Sequence, residues 1–247
     1  MSNSGYILIN KSARLDSQSQ VGARRVGPTS HDVIDKLRKI TGIKKIGHAG
    51  TLDPFAQGLL LVAIGREATR EISKFVGLDK EYVANLKFGA ISDTYDLTGR
   101  IKIQEYKNIK INKIIIKNIL KKFIGKQEQI PPMFSAKKVG GKKLYELARQ
   151  GIEITRKPNQ IEVYDIKLLK WSNVKCQLSI VVHCSSGTYI RSLAHDIGQI
   201  LVCGAYLEKL VRTKIGKFKL TDAIELDKLN KENWQKRLLV ISDKLLG

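Results

Sequence analysis

The sequence predicts a protein that combines α-helices with β-strands, because two kinds of apolar spacing alternate along its 247 residues. Residues 59–64 form a continuous apolar run that ends at Gly65, which is typical of a strand buried on both faces. Residues 80–88 alternate between apolar and polar side chains, as in a half-buried strand, whereas residues 33–40 have helical spacing. With 43% hydrophobic residues, the chain can build one sizeable core or a core with an inserted subdomain.

The other elements follow from the same patterns. Further strands are predicted at residues 6–9, 161–171 and 175–184, with a strand pair at 206–218, and further helices are predicted at 66–76, 112–123, 144–150 and from Ile190 to Ile197. Ser30 is placed to cap the helix at 33–40. Cys176 and Cys184 fall on the inward side of their strand, so we expect both to fill the core. Three cysteines without a C-x-x-C pair argue against a disulfide framework and against zinc, and favour a cytoplasmic protein.

Charge indicates the class of partner. Lys and Arg number 44 against 23 Asp and Glu, which gives a formal net charge of +21 and favours a polyanion such as a nucleic acid. A basic membrane-surface protein is the alternative, but no segment has the required amphipathic, aromatic-anchored pattern. No apolar run approaches the length of a spanning helix, and the chain has no P-loop, G-x-G-x-x-G or H-E-x-x-H motif.

Residues 47–58 are the candidate catalytic stretch. They hold one carboxylate, Asp53, and one imidazole, His48, among three glycines and one proline. Glycine permits a close approach of backbone or ligand, and Pro54 restricts the conformation of Asp53. A loop acid next to a buried strand suits a catalytic group. An ordinary turn or a helix start, with Asp53 as the cap, is the alternative.

Two basic features have open interpretations. Four lysines surround Gly140-Gly141, and they form either an exposed charged hairpin or a mobile arm that binds phosphates. They are Lys137, Lys138, Lys142 and Lys143. Arg191 lies in the first turn of a predicted helix, where the helix dipole disfavours a cation. Either an acidic partner offsets that cost or Arg191 is a surface residue.

Several ordered motifs resemble one family. Gly47-His48-Ala49-Gly50-Thr51-Leu52-Asp53-Pro54, followed by Ala56-Gln57-Gly58-Leu59-Leu60, resembles the catalytic motif of the TruB family of tRNA pseudouridine synthases. Lys80-x-Tyr82-x-Ala84, with the Ser92-Asp93-Thr94-x-Asp96 segment, is similar to the second family motif. The segment from Cys184 to Leu193 and the Cys203-Gly204-Ala205 segment are similar to later motifs. The resemblance runs from Tyr6 to about Leu226.

The resemblance implies an α+β pseudouridine synthase fold, with a mixed, mostly antiparallel sheet, flanking helices and a central RNA-binding cleft. It implies a single catalytic domain over residues 1–247, with a thumb-like RNA-binding insert at 129–157. Many bacterial members continue into a C-terminal PUA domain, but we expect none here, because no strand-rich segment remains to build one. The implied reaction converts one uridine of the tRNA T-loop, uridine-55, to pseudouridine after base flipping. The enzyme is expected to act as a monomer without cofactor or metal. In the family an Asn-Lys-Pro segment leads almost directly into a Gly-x-Thr-Ser segment. Here Ser12 replaces the proline, and a polar insert, 12–26, separates Lys11 from Gly27.

The resemblance also implies roles for individual residues. Asp53 is the catalytic aspartate, acting as a nucleophile or along a glycal path, and Arg191 pairs with it. Tyr82 lies against the uracil and is a candidate for proton transfer. His48 fills the space that the flipped base leaves. Tyr189 and Leu207 contact the substrate, and Lys137, Lys138, Lys142 and Lys143 grip the RNA.

Two other functions remain open. A catalytically silent module that binds or folds tRNA would explain the charge but not the set of Asp53, Tyr82 and Arg191. A guide-RNA-dependent synthase subunit resembling dyskerin would use the same chemistry with partner proteins.

Overall fold

The structure is a computed structural model that describes residues 4–13, 27–104 and 111–239. Its strands are β1 (Gly5–Lys11), β2 (Ile46–His48), β3 (Gln57–Ile64), β4 (Lys80–Phe88), β5 (Ala90–Ser92), β6 (Ile101–Ile103), β7 (Gly125–Gln129), β8 (Lys138–Val139), β9 (Lys142–Lys143), β10 (Asn159–Ser172), β11 (Gln177–Cys184), β12 (Ala205–Ile215), β13 (Phe218–Lys219) and β14 (Ile224–Glu225). Its helices are α1 (Ser30–Thr41), α2 (Arg66–Arg70), α3 (Ser73–Val76), α4 (Lys113–Lys121), α5 (Leu144–Arg149) and α6 (Ile190–Ile200).

The described residues fall into two compact units. The first lies within Met1–Tyr82 and Leu210–Gly247, and the second is Val83–Lys209. The prediction of a single catalytic domain over residues 1–247 stays a prediction. The predicted insert at 12–26 and the end of the chain after Leu239 lie largely outside the described residues.

The first unit is organised around β3, which confirms the strand predicted from its apolar run. The strand order is β14-β1-β3-β12, with β2 also pairing with β3 and β13 with β12. β1 pairs antiparallel with β3 along its whole length, and β12 pairs parallel with β3 at Val211↔Gln57 and Arg212↔Gly58. Side chains of β3 alternate between two cores, one that contains Leu60 and Trp234 and another that contains Leu59 and Phe75.

Two local predictions in the first unit are wrong. The cap of α1 is Thr29, which shares a capping box with Asp32, because the Ser30 hydroxyl is used elsewhere, on the backbone of Leu52. The single helix predicted at residues 66–76 is interrupted between Arg70 and Ser73, which gives the short helices α2 and α3.

The second unit has the strand order β12-β4-β11-β10-β7 and two small hairpins, β5–β6 and β8–β9. The alternation predicted for β4 is confirmed, and Cys184 is fully buried on β11. The prediction for Cys176 is wrong. It lies before β11 in the turn that joins β10 to β11, with φ 47° and a half-buried side chain, so the strand alternation does not reach it. The three cysteines are free thiols.

The predicted fold class is confirmed, since antiparallel pairs predominate in a mixed sheet that helices flank. Parallel pairing joins β1 to β14 and β3 to β12. In the part of the chain that the structure describes, no helix is long and apolar enough to cross a membrane.

Candidate active site

Asp53 lies in the connection between β2 and β3, residues 49–56. Its carbonyl accepts a hydrogen bond from the Ala56 amide at 3.0 Å, so Asp53 and Pro54 begin a tight turn and not a helix. Leu52, Phe55 and Ala56 are buried, whereas Asp53 is half-buried. The loop therefore packs its apolar side chains inward and leaves the carboxylate partly accessible.

Lys11, the last residue of β1, binds the centre of this loop. Its side chain is 1% exposed, and Nζ donates to the carbonyls of Asp53, Pro54 and Ala56 at 3.4, 3.0 and 2.6 Å. Burial lowers the pKa of Lys11 to about 8, against the opposing effect of the Asp53 carboxylate. The ammonium is therefore still protonated at neutral pH and can supply all three N–H donors.

Two further buried side chains complete the support. The Ser30 hydroxyl donates to the Leu52 carbonyl at 3.2 Å and accepts from its amide at 3.0 Å. Arg212 donates from Nε to the Leu59 carbonyl at 2.8 Å and from Nη2 to the Gly50 carbonyl at 3.0 Å. Polar groups from α1, β1 and β12 thus satisfy the backbone around Asp53, which fixes the geometry of the loop.

His48 ends β2 at the start of the loop. Its ring meets the ring of His31 edge-on, with centroids 5.9 Å apart. Burial first, then the neighbouring His31 and Arg212, lowers the pKa of His48 to about 4. Among the described residues, no group forms a hydrogen bond with its buried Nδ1 atom. The ring is therefore neutral at physiological pH, a form suited to stacking and space filling.

Tyr82 occupies a buried position on β4, with 9% of its surface exposed. It belongs to the first unit, as do Asp53 and His48. Its predicted contact with the uracil stays a prediction.

Arg191 has an acidic partner, which is the first of the two alternatives left open for a cation in the first turn of a helix. In the second unit its Nη1 lies 3.3 Å from Asp96 Oδ2, and both side chains are 4% exposed. Nη1 also donates to the Thr94 carbonyl at 3.0 Å, and Nη2 donates to the Phe134 carbonyl at 2.8 Å. The guanidinium is thus oriented by a carboxylate and two carbonyls. Pairing between Arg191 and Asp53 stays a prediction.

Hydrogen bonds to the backbone hold both Tyr189 and Leu207 in place. The side-chain amide of Gln129 accepts from the Tyr189 amide at 2.8 Å and donates to its carbonyl at 3.0 Å. The Leu207 side chain is fully buried, and its backbone bonds to Tyr95 and Leu97. Both contacts lie within the second unit.

The four predicted lysines lie on a short hairpin, residues 137–143, which we call the lysine hairpin. Gly140 and Gly141 form its turn with φ 58° and 81°, as in the mirror-image turns that join tight hairpins. Lys137 Nζ binds the side-chain carbonyl of Asn159, whereas Lys142 is exposed. Lys143 Nζ donates to the Tyr145 hydroxyl at 3.2 Å, and that contact raises the pKa of Lys143.

The predicted residues fall into two groups by unit, with His48, Asp53 and Tyr82 in the first and Tyr189, Arg191, Leu207 and the lysine hairpin in the second. Lys11, Asp96, Gln129 and Arg212 support these groups, and sequence reasoning assigned them no role. Arg212 carried no usable signal in the strand pattern, because Glu208 and Lys214 are also polar residues on its side of β12. No group of three or more His, Cys, Asp or Glu side chains is placed to hold a metal ion in the described ranges.

Comparison with known families matches residues 38–190 to the N-terminal domain of TruB family pseudouridylate synthases. The chain belongs to the TruB family. Residues 191–244 match the C-terminal domain of tRNA pseudouridylate synthase B. Members of this family are isomerases, which gives the class of enzyme.

Named relatives agree with this assignment. The chain is 48% identical over 216 residues to tRNA pseudouridine synthase B of Syntrophomonas wolfei, which covers 85% of this chain and 71% of that protein. It is 48% identical over 198 residues to the protein of the same name from Protochlamydia amoebophila, over 80% of this chain and 74% of that protein.

A solved structure supports the fold. In a Cbf5-Nop10-Gar1 complex, one chain matches with a TM-score of 0.67 at 27% identity, over 99% of this chain. This chain spans 59% of the length of that protein.

Proposed function

We propose that this chain converts a uridine in the T-loop of tRNA, conventionally uridine-55, to pseudouridine. The relatives named tRNA pseudouridine synthase B support tRNA as the substrate. The net charge of +21 supports binding to a phosphate backbone. The observation that carries the proposal is the Asp53 loop, where three buried polar side chains hold the backbone and leave one half-buried carboxylate accessible.

The reaction is an isomerisation within the substrate. The bond from ribose C1′ to uracil N1 breaks and a bond from C1′ to uracil C5 forms. The hydrogen on C5 leaves as a proton, and N1 takes up a proton in its place. The nucleotide must leave its stack before its sugar and base edge can be reached. Asp53 then attacks as a carboxylate or assists a glycal path.

The remaining site residues have proposed roles around Asp53. Arg191, oriented by Asp96 and two carbonyls, pairs with the carboxylate. Tyr82 offers the uracil an aromatic face, and its hydroxyl can transfer a proton. The neutral His48 ring fills the space that the base leaves. Tyr189, Leu207 and the lysine hairpin contact the RNA in the proposed cleft.

Asp53→Asn tests the proposal, because asparagine keeps the size of aspartate but is a poor nucleophile. Transcribed tRNA with tritium at uridine C5 reports turnover by releasing tritium. Wild type should release it from one uridine per tRNA in the presence of EDTA, and the product should map to the T-loop. The variant should release none while it binds tRNA normally, since affinity comes mainly from phosphate contacts.

The same assay separates the alternatives. The protein is tested alone, without guide RNA or partner proteins. No release by wild type from correctly folded tRNA would favour the silent binding module. Release only after a guide RNA and partners are added would favour the guide-dependent subunit. A comparable rate in Asp53→Asn would remove Asp53 from the catalytic role.

A further inference from the structure

Arg212 is a fully buried cation whose contacts are unusual for an arginine. It is 1% exposed, and among the described residues its guanidinium binds two main-chain carbonyls and forms no ion pair with a carboxylate. Burying a guanidinium is costly when no opposite charge offsets the loss of water. Such a residue calls for an explanation in terms of what its hydrogen bonds hold.

The two carbonyls lie on either side of Asp53 in the sequence. Gly50 precedes Asp53, and Leu59 follows it at the start of the buried run of β3. Arginine offers several donors in one rigid plane, so a single side chain can hold both ends of the loop at a fixed separation. The main chain of Arg212 also pairs with Gly58, which adds a third attachment near the end of the loop.

Gly58 makes this approach possible by its lack of a side chain, whereas Gly50 is required for its backbone conformation. Gly50 has φ 94°, and a Cβ atom there would lie 3.5 Å from Arg212 Nη1. Gly58 has φ 105°, and a Cβ atom there would lie 2.3 Å from the Arg212 carbonyl oxygen, which is a steric clash. Any side chain at Gly58 would therefore push β3 away from β12.

Lys11 and Arg212 divide the loop between them. Lys11 binds the carbonyls of Asp53, Pro54 and Ala56, which form the central turn, whereas Arg212 binds the two ends. In the β1–β3 and β12–β3 registers, both cations stand opposite Gly58. The charge of Arg212 also contributes to lowering the pKa of Lys11 and of His48, so it acts on the same cluster.

We propose that Arg212 is a positioning residue for Asp53, which it aims by fixing the ends of the loop through the Gly50 and Leu59 carbonyls. The inference rests on the proposed function. It assigns Arg212 an effect on the chemical step and none on RNA affinity.

Arg212→Lys is the main test, because lysine keeps the charge but cannot hold two carbonyls with one planar group. Single-turnover tritium release with saturating tRNA should fall about 10²-fold, the effect expected when a reacting group is displaced by about 1 Å. The dissociation constant for tRNA should stay within about twofold, since phosphate contacts set affinity. The amides of Ala49 and Ala56, which are hydrogen-bonded within the unit, should exchange hydrogen faster than in wild type.

Trp234→Leu is the matched control for lost stability. Trp234 packs in a core with residues of α1 and β1. Its replacement by Leu should make the protein less stable without removing a hydrogen bond to the Asp53 loop. At a temperature where both variants are folded, the control should keep the wild-type rate. A wild-type rate in Arg212→Lys, or an equal loss of rate in the control, would overturn the inference.

Gly50→Ala tests the same hydrogen bond by changing the residue whose carbonyl accepts it. It keeps Arg212 but strains the backbone at φ 94° beside Nη1. If Arg212→Lys does not fold, a wild-type rate in Gly50→Ala overturns the inference, and a lower rate with unchanged affinity supports it. Asp53→Asn is measured in parallel. Inactive wild type would reject the proposed function, whereas active wild type with an equally active Arg212→Lys would reject only the role of Arg212.

Discussion

The Asp53 loop and the lysine hairpin use the same kinds of cation in opposite ways. In the loop, Lys11 and Arg212 are 1% exposed, and their N–H groups bind the carbonyls of the chain itself. In the hairpin, Lys142 is exposed, and two glycines with positive φ make the turn. Burial, and not charge, decides which cation supports the backbone and which is free to meet phosphates. Removing charge from the two regions should therefore damage different steps, the chemical rate in one and affinity in the other.

Among changes that remove a cation from either region, the largest effect is expected for Lys11→Met in the loop. Methionine fills a similar volume but leaves the carbonyls of Asp53, Pro54 and Ala56 without their shared donor. We expect single-turnover tritium release to fall about 10²-fold, because the carboxylate loses its fixed position. Affinity for tRNA, measured by filter binding, should be unchanged.

Lys36→Met is the control for Lys11→Met. Lys36 forms a surface ion pair with Asp227, of a kind that contributes little to stability. This variant should match wild type in rate and affinity. Weaker tRNA binding with a normal rate in Lys11→Met would reverse the assignment of the two regions.

The second prediction concerns the stability of the loop in acid. The pKa of His48 is lowered to about 4, below its ordinary value of 6.5, so the unfolded chain binds more protons between those two pH values. The stabilising contribution of the neutral ring is complete above pH 6.5 and is lost as the pH falls toward 4. At pH 4.5 this loss amounts to about 2 kcal/mol.

His48→Gln removes the titrating group and should remove that part of the pH dependence. The measurement is urea unfolding at pH 7 and pH 4.5, taken as the difference between wild type and variant. His31→Gln is the control. Burial is the largest cause of the lowered pKa of His48 and His31 is a smaller one, so this variant should keep most of the loss of stability in acid. An equal loss of stability in acid for wild type and His48→Gln would contradict the prediction.

The third prediction tests the hairpin. Changing Lys137, Lys138, Lys142 and Lys143 together to Gln should weaken tRNA binding roughly tenfold at 0.1 M salt and reduce the salt dependence of the affinity. The single-turnover rate at saturating tRNA should stay close to wild type. Four exposed lysines on or next to α4, Lys113, Lys117, Lys121 and Lys122, serve as the control of equal charge. An equal loss of affinity in that control would mean that the hairpin has no special part in binding.

Sequence patterns predicted the elements of both regions but not the contacts that support them. The buried strand β3 could be predicted from a run of apolar residues, and the lysine hairpin from two glycines between lysines. The strand pattern misplaced Cys176, because alternation does not reveal where a turn takes over. Ser30 was predicted to cap α1 because it has the right residue type, but Thr29 does so instead.

The support for Asp53 was not predictable for a different reason. Lys11 is 42 to 45 positions from the carbonyls it binds, and Arg212 is 153 and 162 positions from its two partners. Periodicity reports only local structure, so it gives no information on which distant backbone a buried cation will reach. The pairing of Arg191 with Asp96 spans the same kind of gap, from α6 to the segment after β5.

The smallest expected effect is a dependence of the single-turnover rate on pH, which should arise from the loop and not from the hairpin. Burial lowers the pKa of Lys11 to about 8, whereas the Tyr145 contact raises the pKa of Lys143 above its ordinary value. Between pH 7 and pH 9, Lys11 therefore loses its proton and one N–H donor, while Lys143 stays charged. We expect the single-turnover rate to fall about fivefold, the equivalent of one hydrogen bond, with no loss of affinity attributable to Lys143.

Stability should move in the opposite direction, which keeps the effect on rate from being mistaken for unfolding. The folded pKa of Lys11 lies below the value of 10.5 for a free lysine, so the unfolded chain binds more protons between about 8 and 10.5. The contribution of Lys11 to the free energy of unfolding therefore rises with pH across that window. Lys11→Arg should remove the alkaline fall in rate, because arginine stays protonated, even if its baseline rate is lower. A fall that persists at the same pH in Lys11→Arg would assign it to another group and would remove Lys11 from the comparison.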